Sequence, residues 1–149
     1  MKKEKKNPKK NVKSLISKAD EAYENEFFLE ASILTSSIIE ARLRTLITRV
    51  EKANPGTGFN LEQCLKRIKY LHLSGRDPVL CKHIEVRLID DLRTWKNQRN
   101  AILKDLAEIH ISRKRIENLA HTGVLLQKEF TLAYKEFKKD WKKSLMKRS

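Results

Sequence analysis

The segment WKNQRNAILKDL, residues 95–106, places a permanently charged side chain, Arg99, where the apolar pattern of a helix predicts a leucine. An unpaired buried guanidinium costs several kcal/mol, so its head reaches water with the stem packed, meets a carboxylate, or borders a cleft. In a cleft, Arg99 and Asn100 have the chemistry to stabilise a phosphate group. Arg99 shares one predicted helix face with residues spaced three or four positions apart along the sequence. These residues are Cys81, Ile84, Leu88, Leu92, Trp95, Ile102, Leu106 and Ile109.

One carboxylate, Glu40 on a predicted long helix, is a candidate for orienting Arg99 towards such a cleft. The alternative is a solvated Glu40 that contacts Arg44, four residues further along the same helix. Both interpretations fit the spacing of these residues.

The elements that carry these residues are predicted to be helices, because proline and glycine are sparse outside NPGTGFN and GRDP. Asn60 is a predicted N-cap, and Gly123 would permit a close helix contact or a bend. The fold class is therefore all-α, an antiparallel bundle of about five helices. Apolar residues at steps of three and four place these helices at residues 15–25, 27–52, 61–73, 79–109 and 112–145. On the second helix, four charged residues are predicted on faces other than the apolar one: Glu30, Glu40, Arg42 and Arg49.

The order of these helices resembles that of the HEPN domains. Two antiparallel helices come first, and the second carries Glu40 and Arg42; a helix with Trp95 and the adjacent Arg99 and Asn100 follows, and a long helix comes last. The resemblance covers residues 14 to about 145. It implies a motif of an arginine, a polar residue and a histidine four to six residues after the arginine. Members with this motif are typically metal-independent ribonucleases of toxin–antitoxin, anti-phage or RNA-processing systems, and they act as dimers whose two motifs face one cleft.

The sequence departs from this pattern at the histidine. Four residues separate Arg99 from Lys104, and Lys104 occupies the position where the motif has a histidine. Histidine suits RNA cleavage because it titrates near neutral pH and can exchange a proton with the 2′-hydroxyl or the leaving oxygen. Lysine, with an unperturbed pKa of about 10.4, is a poor base, although it can hold phosphate. On a straight helix Lys104 lies about 140° from Arg99, so joint action needs a helix break or a second subunit.

A second stretch, RIENLAHTG, offers Arg115 and His121 with five residues between them, which also satisfies the spacing of the family. No asparagine follows Arg115, and little chain would precede it as a separate helix. The motif that begins at Arg99 is favoured, because the chain that follows it has the right length for a final helix. Arg115 with His121 is the alternative catalytic pair.

The net charge of +14 is concentrated at the two ends of the chain. Residues 1–13 form a predicted flexible basic arm, residues 14–145 a single HEPN-like helical domain, and residues 146–149 a basic tail. Basic ends bind phosphates or act as solvated tails, and the charge alone does not choose between these roles. The candidate RNA-binding residues of the arm are Lys2, Lys3, Lys5, Lys6, Lys9 and Lys10.

Several function classes are disfavoured by what the sequence lacks. No apolar run is long enough for a membrane span and the N-terminal lysines lack the apolar core of a secretory signal, so we expect a cytoplasmic protein without membrane contact. The histidines lack metal-ligand spacing, and no glycine-rich phosphate loop or nucleophile elbow is present, so no metal, cofactor or small-molecule enzyme is expected.

Three hypotheses remain. The favoured one is a HEPN-like homodimer that binds RNA or a protein partner, such as an antitoxin, with weakened or lost ribonuclease activity. The alternatives are an active metal-independent endoribonuclease that uses Arg99, Asn100 and Lys104, and a helical adaptor that does not bind nucleic acid. Apolar stripes on at least three long helices favour dimerisation independently, because they exceed what a five-helix monomer easily hides.

Overall fold

The computed structural model describes residues 8–56, 58–108 and 110–147. The all-α prediction is confirmed: the described residues form a bundle of helices and contain no strand. Six helices are present, one more than the approximate number predicted: α1 (Pro8–Glu24), α2 (Phe28–Glu51), α3 (Leu61–Ser74), α4 (Pro78–His83), α5 (Val86–Glu108) and α6 (Arg113–Lys147).

The additional helix arises because the predicted helix over residues 79–109 is divided into α4 and α5. The Asp77 side chain accepts hydrogen bonds from the backbone N–H groups of Val79 and Leu80, both at 3.0 Å, and this caps α4. The backbone becomes extended at Ile84 (φ −106°, ψ 96°), whose side chain is fully buried. Packing of Ile84 in the core therefore overrides the helical periodicity, and α5 begins at Val86.

Helix α2 lies at the centre of the bundle and packs against α1, α3 and α6, while α5 packs against α3 and α6. A three-residue turn joins α1 to α2, as expected for an antiparallel helix pair. The predicted N-cap at Asn60 is confirmed, because its side chain accepts from the Gln63 N–H while the Gln63 side chain accepts from the Asn60 N–H.

A close contact between Trp95 and Gly123 fixes α5 against α6. The indole Nε1 donates a hydrogen bond to the Leu119 carbonyl at 2.8 Å, and a Cβ atom at Gly123 would lie 2.5 Å from Trp95 Cζ2. The glycine therefore permits close helix contact, which is one of the two predicted roles. This contact positions the helix that carries Arg99.

The ends of the chain differ from the predicted arm and tail where they are described. Helix α1 begins at Pro8, so residues 8–13 are helical, and α6 continues to Lys147. Lys2, Lys3, Lys5 and Lys6 lie outside the described residues, and the same holds for the side chains of Lys9 and Lys10. Among the described helices, none combines the length and apolar character needed to cross a membrane.

Candidate functional site

Arg99 lies on the wall of a cleft of about 290 Å³, formed by α2, the start of α3 and α5. The side chain is half-buried. Of the alternatives for Arg99, the structure shows the one in which the apolar face of the helix borders a cleft. The cleft, which we call the Arg99 cleft, is lined by Ile33, Ser36, Ser37, Glu40, Asn60, Leu61, Glu62, Lys96, Arg99 and Asn100.

The Arg99 guanidinium is held by two neutral oxygen atoms. Nη1 donates to Ser36 Oγ, and Nη2 donates to Asn100 Oδ1 at 2.9 Å. Nε is buried and has no hydrogen-bond partner in the described structure. Burial lowers the pKa of Arg99, against a smaller opposing effect of the Glu40 charge. The side chain is thus oriented by groups that leave its positive charge unneutralised.

Lys96 lies one helical turn before Arg99, and its side chain is only 8% exposed. Its Nζ forms an ion pair with the Glu62 carboxylate, which also accepts from Arg93 Nη2 at 2.8 Å. Burial, followed by the charge of Arg99, lowers the pKa of Lys96. Two cations thus lie side by side at the cleft, and only Lys96 has a carboxylate within ion-pair distance.

Glu40 lines the same cleft as Arg99, and its charge acts on the Arg99 pKa. In the described structure the two do not form an ion pair, so Glu40 acts on Arg99 through space. The alternative contact with Arg44 is not formed either, because Arg44 donates to the carbonyl groups of Gly56, at 2.7 Å, and Phe59. Glu40 therefore shares the cleft with Arg99 without holding its guanidinium.

The structure does not bring the other predicted catalytic residues into the Arg99 cleft. Lys104 is exposed and lies outside the cleft lining, as its angular distance from Arg99 predicts. Arg115 is paired with Asp105 at 3.1 Å, and His121 Nδ1 lies 3.1 Å from the Tyr23 hydroxyl. Asn100, by contrast, lines the cleft beside Arg99.

Five polar residues of the cleft were not identified from the sequence as site residues: Ser36, Ser37, Asn60, Glu62 and Lys96, although Asn60 was predicted as a cap. Lys96 had a usable signal, because a residue three positions before Arg99 shares its helix face. Ser36 lies one turn before Glu40 on α2 and had the same kind of signal. Glu62 had none, since it lies on another helix and only the tertiary fold brings it to Lys96.

The chemistry of the cleft is that of hydrogen bonding and charge. Its lining offers guanidinium, ammonium, amide and hydroxyl donors together with two carboxylate acceptors, Glu40 and Glu62. Among the described residues that line it there is no histidine, cysteine or tyrosine, and the described chain contains no group of three or more potential metal ligands. The guanidinium and ammonium groups are suited to binding an anion, and no side chain type in the described lining has an unperturbed pKa near neutral pH.

No family model, curated protein or solved structure matches the chain. Membership of the HEPN family therefore stays a prediction from the residue pattern.

Proposed function

We propose that this protein is a HEPN-like RNA-binding protein that holds a phosphate of the RNA chain in the Arg99 cleft and does not cleave it. The observation that carries the proposal is the state of Arg99. Its guanidinium lines an open cleft, is oriented by Ser36 and Asn100, and keeps one buried Nε donor without a partner. A phosphate oxygen would supply the missing negative charge and acceptor.

The two carboxylates of the lining support RNA over a simple inorganic anion. Glu40 and Glu62 accept hydrogen bonds, and they would repel a phosphate that filled the whole cleft. A ribose 2′-hydroxyl donates a hydrogen bond to such an acceptor, and this group distinguishes RNA from DNA. A phosphate at Arg99 with a ribose near Glu40 would therefore match the mixed lining.

Binding without cleavage is favoured by the positions of the groups that would move protons. Lys104 is exposed outside the cleft, and His121 lies against Tyr23. The cation that does line the cleft with Arg99 is Lys96, and its Nζ is paired with Glu62. The endoribonuclease alternative would require one of the cleft carboxylates, or a group from another subunit, to transfer the proton.

A homodimer belongs to the same proposal. Ile33 lines the cleft and is 46% exposed, and Leu103 and Leu106, on the same helix as Arg99, are also exposed. Pairing these apolar side chains between two subunits would bury them and bring two Arg99 clefts close together. Light scattering at tens of micromolar tests this: we expect a dimer, and a monomer for Leu103→Glu; a monomeric wild type would contradict it.

The RNA proposal is tested with two substitutions that remove the same charge. Arg99→Met removes the cleft guanidinium, and Arg76→Met removes an exposed arginine outside the cleft lining. In fluorescence anisotropy with labelled single-stranded RNA, we expect Arg99→Met to weaken binding at least about tenfold, the loss expected for a charge-assisted contact. Arg76→Met should change it less than about twofold. Equal effects of the two substitutions would reject the cleft as the phosphate site.

The same samples distinguish binding from cleavage and from the adaptor alternative. We expect RNA to remain intact on denaturing gels, and affinity to fall steeply as salt is raised. Cleavage that is lost in Arg99→Met would replace our proposal with the endoribonuclease alternative. Absence of RNA binding at low salt would favour the adaptor. Removal of residues 1–7 measures the contribution of the first four lysines of the arm and keeps all of the described part of α1 (Pro8–Glu24).

A further inference from the structure

A second, larger cavity of about 620 Å³ lies between α1, α2 and α6, in a part of the molecule that the proposed function does not use. We call it the Arg42 pocket. No acidic residue is among the described residues that line it. Its basic residues come from all three helices: Lys13, Arg42, Arg49, Lys135 and Lys138.

Arg42 is the most deeply buried of these cations, with only 9% of its surface exposed. Both Nε and Nη1 are buried and have no hydrogen-bond partner in the described structure. Burial lowers the pKa of Arg42, and nearby Tyr134 opposes this to a smaller extent. A guanidinium in this state is costly in the folded protein unless an acceptor reaches it. The pocket that Arg42 lines is the route by which an external acceptor could do so.

Aromatic rings lie beside three of these cations. The Arg42 Cζ atom lies 5.5 Å from the centroid of the Tyr134 ring, and Lys138 Nζ lies 5.6 Å from the same centroid. Arg49 Cζ lies 5.8 Å from the centroid of the Trp141 ring. Cation–π contacts of this kind are weak and leave the positive charge able to attract an anion.

The lining also includes the apolar side chains of Val12, Leu15 and Ala41 and the neutral polar side chains of Asn11 and Thr45. A volume of about 620 Å³ lies in the range of organic-ligand pockets, and a lone phosphate would fill only a small part of it. The ligand that fits the lining therefore has an anionic head for the cations and an apolar body for these side chains.

We propose that the Arg42 pocket binds a small organic phosphate, with the phosphate on Arg42 and Arg49 and the apolar body against Val12 and Leu15. Such a ligand satisfies the buried guanidinium donors and covers the apolar wall in one step. Its phosphate belongs either to a soluble phosphomonoester or to a lipid headgroup, since both present the same chemistry to the pocket.

The test measures binding of defined probes by calorimetry and by thermal shift. The probes are inorganic phosphate, phenyl phosphate, and short-chain phosphatidic acid with short-chain phosphatidylcholine as its zwitterionic control. We expect one of the two organic phosphates to bind at least about tenfold more tightly than inorganic phosphate, because the organic phosphates also bury apolar surface. Preference for phosphatidic acid identifies a lipid source, and preference for phenyl phosphate a soluble one.

Matched substitutions assign the binding to the pocket. Arg42→Met and Arg49→Met should each weaken the preferred organic phosphate at least about tenfold, while Arg99→Met and Arg76→Met should leave it unchanged. The result for Arg99→Met separates this proposal from the proposed function, which depends on that residue. Binding that survives Arg42→Met, or no binding of either organic phosphate, would overturn the proposal. Loss of RNA affinity in Arg42→Met without binding of the small probes would also overturn it.

Discussion

Two half-buried or buried arginines occupy opposite kinds of surroundings in this bundle. Arg99 is held by the oxygen atoms of Ser36 and Asn100, in a cleft that also contains two carboxylates. Among the described residues Arg42 Nε and Nη1 have no hydrogen-bond partner, and the pocket around them is lined by cations, apolar side chains and a few neutral polar groups. Burial lowers the pKa of both arginines, so burial alone does not distinguish them. The Arg99 cleft thus holds carboxylates beside its cations, whereas the described lining of the Arg42 pocket contains no carboxylate.

The largest expected effect on stability comes from a substitution at Gly123, which weakens the packing of the helix that carries Arg99 and affects the Arg42 pocket less. A methyl group at Gly123 would meet the Trp95 ring, with a contact of 2.5 Å to Cζ2, and would disturb the packing of α5 on α6. We expect Gly123→Ala to lower the free energy of unfolding by about 2–3 kcal/mol, because overpacking outweighs the helix-propensity gain of about 1 kcal/mol. Urea unfolding measures this loss.

Gly58→Ala is the matched control, because nothing lies within 4 Å of a Cβ atom at that position. Its stability should stay within about 0.5 kcal/mol of the wild type. RNA affinity should fall in Gly123→Ala, since α5 carries Arg99, while organic-phosphate affinity of the Arg42 pocket should change less. A Gly123→Ala protein as stable as Gly58→Ala would show that the Trp95 ring moves aside.

The next largest effect is expected for Glu62→Gln, which removes a carboxylate from the Arg99 cleft and so makes it more similar to the Arg42 pocket. In Glu62→Gln the ammonium of Lys96, 8% exposed, loses its charged partner. We expect the free energy of unfolding to fall by about 1.5 kcal/mol, as for a charge-assisted hydrogen bond, and RNA affinity to rise because the cleft becomes more positive.

Glu40→Gln removes the same charge from the same cleft without breaking an ion pair. Its unfolding free energy should change by less than about 0.5 kcal/mol. Equal destabilisation by both substitutions would mean that the Glu62–Lys96 pair has no special role in stability.

Replacing each arginine by methionine is expected to change the free energy of unfolding by a smaller amount, and in opposite directions at the two sites. Arg42→Met replaces a buried, unpaired cation by an apolar side chain of similar length, so we expect the unfolding free energy to rise by about 1 kcal/mol. Arg99→Met removes the donors to Ser36 and Asn100, so we expect a decrease of about 0.5–1 kcal/mol. Denaturant unfolding without added anions measures both values. A stability loss in Arg42→Met would show that its guanidinium is already satisfied in the protein.

The fold was largely predictable because periodicity carries most of the information in a helical bundle. The predicted helix over residues 27–52 matches α2 (Phe28–Glu51), and the cap at Asn60 was read from its residue type. The break at Ile84 was not predictable, because a buried apolar residue satisfies both a helical stripe and an extended segment.

The two cationic regions show where residue patterns stop being informative. The position of Arg99 on an apolar stripe predicted an unusual environment, and the structure shows a cleft there. Arg42 was predicted on a polar face of its helix, and this prediction was wrong, since only 9% of its surface is exposed. The reason is that α2 is surrounded by α1, α3 and α6, so a charged side chain off the main stripe still becomes buried. A pattern along one helix does not report how many neighbours that helix has.

The smallest expected effect concerns α6, which forms one wall of the Arg42 pocket. His83 Nε2 donates to Asp140 Oδ2 at 2.9 Å, joining α4 to α6 two residues after Lys138, which lines the pocket. This hydrogen bond, assisted by the charge of Lys82, lowers the pKa of the Asp140 carboxyl in the folded protein. The stabilisation is therefore complete above the unfolded pKa of about 3.9 and is lost as the pH falls through the lower folded value. We expect Asp140→Asn to melt below the wild type at pH 6, with the difference in Tm closing below about pH 4. Glu136→Gln, an exposed change on the same helix, should show no such pH dependence; a difference that persists at pH 2 would show that Asp140 stabilises α6 by packing rather than by its charge.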